Sequence, residues 1–81
     1  MKTMTFDELR PALIVHIIEH IANGYFMDPE EDDEGNNHDE LQGLIENFCD
    51  DHNFDPYEND LSYRTLADEY ERLIYSHYYP Q

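Results

Sequence analysis

A chain of 81 residues with a formal charge of −16 can fold only if a small apolar minority is gathered tightly while its carboxylates stay in water. Self-repulsion at that density opposes a compact state, and a fold by itself has no use for it. Only 4 Lys and Arg stand against 20 Asp and Glu, so internal ion pairing cannot absorb the excess. Hydrophobic residues nevertheless make up 40% of the chain, well above a disordered acidic tail. The size sets a core of about fifteen side chains, near the lower limit for a self-sufficient domain. Residues 1–81 therefore read as a single acidic domain that displays its charge to something basic, alone or as a homodimer.

The same charge excludes partners. Nucleic acid is bound through Lys and Arg that neutralise phosphates, and an anionic lipid surface would repel this chain. The longest apolar run, Ala12 to Val15, is far too short to span a bilayer. Asp7 and Glu8 fall where the apolar part of a leader would begin, so no export signal is expected. Cys49 is the only cysteine. An intramolecular disulfide is excluded, and a reducing cytoplasm is the expected location.

Apolar spacing predicts an all-α fold of three helices. The first covers about Phe6 to Ala22, opened by the capping box Thr5/Glu8 and closed at Asn23-Gly24, with Leu9, Leu13, Ile17, Ile18 and Ile21 inward. Pro11 is expected to kink its first turn or delay the regular helix. From Asp28 to Glu40 no apolar residue occurs, which predicts a solvated acidic loop between the first and second helices. Asn37 with Glu40 supplies the next capping signal, ahead of Leu41, Leu44, Ile45, Phe48 and Cys49. Gly43 within that helix either weakens it or admits another backbone. A second connection, Asp50 to Asn59, is expected to be pinned by Phe54 and Tyr57. Asp60 then caps a last helix, about Leu61 to Tyr78, with Leu66, Tyr70, Leu73, Ile74 and His77 inward.

Catalytic patterns are thin. His16, Glu19 and His20 match H-x-x-E-H, the inverted zinc-protease pattern. A catalytic zinc needs a third ligand and a cleft, for which 81 residues leave little room. Aligning Gly35 with the glycine of a calcium-binding loop puts Glu30, Asp32 and Glu34 at its first ligand positions, but Leu41 stands where a bidentate Glu is required. Neighbouring Asp50 and Asp51 would raise the Cys49 pKa, the reverse of what a nucleophile needs. No enzyme activity, cofactor or dedicated metal site is expected.

What remains is acidic residues spread over helices and loop together with 7 tyrosines, five of them in the last helical segment. In composition the whole chain resembles the DNA-mimic inhibitors of phages and mobile elements, such as Ocr-type anti-restriction proteins and anti-CRISPR proteins. The resemblance implies a non-catalytic inhibitor that occupies the basic DNA-binding groove of a nuclease, a restriction or CRISPR effector, or a nucleoid protein in a bacterial cytoplasm. Charge arithmetic points the same way. A helix of ~20 residues is ~30 Å long, and that length of duplex carries ~18 phosphate charges. The candidate partner-binding carboxylates are Asp28, Glu30, Glu31, Asp32, Asp33, Glu34, Asp39, Glu46, Asp68, Glu69 and Glu71. Tyr63, Tyr75 and Tyr79 are the candidate aromatic contacts. An acidic adaptor covering a basic protein surface, or a divalent-cation binder using residues 28–40, is the alternative expectation.

Overall fold

A computed structural model describes residues 5–80, and among them the fold is all-α: α1 (Phe6–Ala22), α2 (Asn36–Asp51) and α3 (Tyr63–Tyr78). Short 3₁₀ turns occupy Pro29–Glu31 and Pro56–Asn59 in the connections. The body measures 43 × 21 × 20 Å. Each helix turns its apolar stripe to one shared core: Leu9, Leu13, Ile17 and Ile21; Leu41, Leu44, Ile45, Phe48 and Cys49; Leu66, Ala67, Tyr70 and Ile74. Phe26 and Phe54 close that core from the two connections. No helix among the described residues is long and apolar enough to cross a membrane.

Thr5 caps α1 as its sequence requires: the Glu8 amide donates to Thr5 Oγ1, and that hydroxyl donates to the Glu8 carboxylate. Pro11 lies inside the helix without delaying it, contrary to expectation. At the other end the Tyr25 amide reaches the His20 carbonyl and the Gly24 amide the Ile21 carbonyl, which is the paired bonding of a Schellman stop. Gly24 sits there at φ +79°, where a side chain is strained. The end of α2 repeats the device with Asn53 at φ 54°, and it delivers Phe54 into the core.

Several local expectations are corrected. The acidic stretch is not a free loop. Asp28 accepts the Glu30 amide, and Asp32 accepts the Asn36 and Asn37 amides at 2.7 Å each. Asp32, not Asn37, therefore supplies the anionic cap of α2, where the helix dipole favours it. Asn37 is buried instead: its side chain accepts the Met27 amide at 3.0 Å and donates to the Met27 carbonyl at 2.7 Å. Ser62, not Asp60, caps α3 through the Thr65 amide, while Asp60 takes a left-handed conformation. Tyr57 does not pin the second connection, being 64% exposed; Phe54 and Pro56 are buried there. His77 is exposed, and Tyr78 takes the inward position, donating to the Phe26 carbonyl at 2.6 Å.

The glycines predict opposite outcomes for one substitution. A Cβ at Gly43 or at Gly24 meets nothing within 4 Å, so packing is silent and backbone preference decides. Gly43→Ala, inside α2, should stabilise by about 1 kcal/mol. Gly24→Ala, at positive φ, should destabilise by about 1 kcal/mol. Urea unfolding of the two variants checks the pair; equal signs would contradict the positions of these residues.

Candidate acidic interface

The carboxylates are free to act outward. Asp28, Asp32 and Glu71 are half-buried and every other Asp and Glu is exposed. Among the described residues no Arg stands within ion-pairing distance of a carboxylate, and the one charge contact is His38 Nε2 to Asp68 Oδ1 at 2.6 Å. The three Arg of α1 and α3 therefore leave the negative field almost unneutralised. Arg10 instead lies 4.7 Å over the Phe6 ring.

The expected contact residues fall into two groups. One is built where the connection after α1 meets α3. Tyr79 donates to the Asp28 carboxylate at 2.5 Å, and Asp32, Glu71 and Tyr75 share the walls of a small cleft with Pro29 and Ile74. The Tyr79 hydroxyl is pushed up to about 12, first by that hydrogen bond and then by desolvation and the charges of Asp28, Glu30 and Glu31. Tyr75 and Tyr79 are both exposed, so aromatic surface stands among the acids. Asp68 belongs to the same side of α3 as Glu71, one turn earlier.

The second group gathers around Tyr63. This half-buried ring meets Tyr57 edge-on at 5.6 Å, and both line a shallow surface with Asp50, Asn53, Phe54 and Asp55. Burial raises the Tyr63 pKa first, followed by Asp50, Cys49, Glu46 and Asp55. Asp39, Glu46 and Glu69 stand exposed on their helices, and Asp33 and Glu34 on the turn before α2. Asp50, Asp55 and Tyr57 were not among the expected contacts. The Asp55-Pro56 turn was their only signal, and it marks a bend rather than a surface.

The histidines of the H-x-x-E-H pattern lie against aromatic rings. His16 and His20 meet in a tilted pair at 4.4 Å, His16 also meets Phe48 at 4.9 Å, and His52 stacks on Phe48 at 4.2 Å. The Nδ1 atoms of His20 and His52 bond the carbonyls of His16 and Phe48, one helical turn back. Burial, and after it the neighbouring His20, lowers the His16 pKa. Cys49 is fully buried, and its thiol is pushed up to about 11 by desolvation and by Asp50, the direction that disfavours a thiolate.

One face departs from the acidic pattern. α1 is apolar on its outer side as well, with Val15 54% and Ile18 48% exposed. A helix that is hydrophobic all round is ordinarily covered on both sides. Comparison with protein-family models, with curated proteins and with solved structures finds no match.

Proposed function

We propose that this protein is a non-catalytic inhibitor that seats its acidic surface in the basic DNA-binding groove of a target protein. The observation that carries this reading is the scarcity of ion pairs: the chain holds a formal charge of −16, and among the described residues only His38 stands against a carboxylate. A duplex as long as this body, 43 Å, carries about 25 phosphate charges at one per ~1.7 Å. The protein thus offers roughly two-thirds of that charge, carried on the three helices and on the hydrogen-bonded turns between them. Tyr75 and Tyr79 add amphipathic surface that a plain polyanion lacks, which gives a groove grounds for selectivity. A homodimer, the alternative to a lone domain, would cover the Val15/Ile18 side of α1 and leave the acidic elements outward; Ile18→Glu should abolish any dimer seen by sedimentation.

The test is competition. A target retrieved from a bacterial lysate is presented with its own DNA and with this protein together. Mutual exclusion, with no binding of the protein to DNA itself, is the expected result. Simultaneous binding with unchanged affinities would replace mimicry by the acidic-adaptor reading.

A further inference from the structure

We infer that His38, Asp68 and Glu71 form a binding site for a divalent transition ion of the zinc class. The ligand atoms of the three side chains, one from each, lie within 4.8 Å of one another. An ion held at about 2.0–2.2 Å from each donor spaces those donors by roughly 3.0–3.5 Å. His38 Nε2 and Asp68 Oδ1, now 2.6 Å apart, would open slightly, and the Glu71 carboxylate, within 4.8 Å of both, would turn to meet the ion. Asp68 is 64% exposed, so its side chain turns freely enough to make the adjustment. The imidazole comes from the first turn of α2 and both carboxylates from successive turns of α3. The ion would therefore tie together the two helices that make the most extensive contact in the fold.

The donor set selects the ion. Two carboxylates alone would serve calcium or magnesium, whereas imidazole suits zinc, nickel, copper and iron. In the present contact the hydrogen between Nε2 and Asp68 occupies the metal's place. Binding substitutes the ion for that hydrogen, and the ring keeps a single proton on Nδ1, with one proton released if the imidazole was charged. Glu71 also walls the cleft shared by Asp32 and Tyr75, where water can complete the coordination shell. This site is separate from the residues 28–40 that the calcium pattern singled out, and it does not rest on the proposed inhibition.

Titration calorimetry with ZnCl₂ on the full chain tests it, with CaCl₂ as the measure of diffuse attraction to a charge of −16. Wild type should bind zinc at one ion per chain, and His38→Gln should weaken this at least about tenfold while leaving calcium uptake unchanged. His38 is only half-buried, so circular dichroism of the variant should match wild type. The double variant His16→Gln/His20→Gln should retain the site. Equal zinc affinity in wild type and His38→Gln would overturn the proposal, as would loss of binding in the His16/His20 variant alone.

Discussion

Asn37→Ala should cost about 2 kcal/mol in urea unfolding, more than the neighbouring polar substitution at the start of α2. The side chain is 4% exposed and makes two hydrogen bonds to the backbone of Met27, each worth about 1 kcal/mol net. Removing it leaves the Met27 amide and carbonyl without their partners. The effect should spread, because the same short segment is held elsewhere: Tyr25 donates to Glu40, Tyr78 to the Phe26 carbonyl and Tyr79 to Asp28. Asn37→Asp keeps an acceptor for the Met27 amide but sets a carboxylate against the Met27 carbonyl, so it should not rescue. Asn36→Ala, at the exposed neighbouring position, should cost under about 0.5 kcal/mol. Similar losses at positions 36 and 37 would mean that the Met27 contact contributes nothing particular.

This contact also marks the boundary of what the sequence could reveal. The three helices were legible because apolar side chains recur at helical spacing, and every core position anticipated in α1 and α2 is buried except Ile18, which is 48% exposed on the outer side of α1. Caps were less legible. Asp28, Asp32, Asn36 and Asn37 can each bond a free amide, so local chemistry allows several solutions. Tertiary demand chose among them: the Met27 backbone needed a two-sided partner, Asn37 alone offers both donor and acceptor at that place, and Asp32 was left to cap. The interchange of His77 and Tyr78 has a similar origin. Adjacent residues on a helix differ by about 100°, and Tyr78 wins the inward place because its hydroxyl reaches the Phe26 carbonyl. The pairing of His38 with Asp68 spans 30 residues and leaves no trace in local pattern.

The same sorting divides the acidic stretch into structural and outward charge. Neutralising Glu30, Glu31, Asp32, Asp33 and Glu34 together, which treats the run as uniformly solvated, would remove the α2 cap with Asp32 and confound fold with function. The informative set is Glu30, Glu31, Asp33 and Glu34, all exposed and none bonded through its side chain among the described residues.

Affinity for a basic target should fall by about one to two orders of magnitude between low salt and physiological salt. Exposed charges separated by more than a Debye length, ~8 Å at 0.15 M, cease to act together. The fall should be shallower than for DNA of the same length, since carboxylates do not carry a condensed counterion layer to release. Changing the four loop residues to Gln should slow association about tenfold with little effect on dissociation, because outlying charge steers an encounter without holding it. Charge reversal at Glu71 on α3, beside Tyr75, should instead quicken dissociation and cost about 2 kcal/mol or more, as expected for a charge at the centre of the contact. Stopped-flow and dissociation measurements at several salt concentrations separate the two effects. An affinity indifferent to salt and to all of these charges would remove electrostatic mimicry, because nothing else in the chain resembles a duplex.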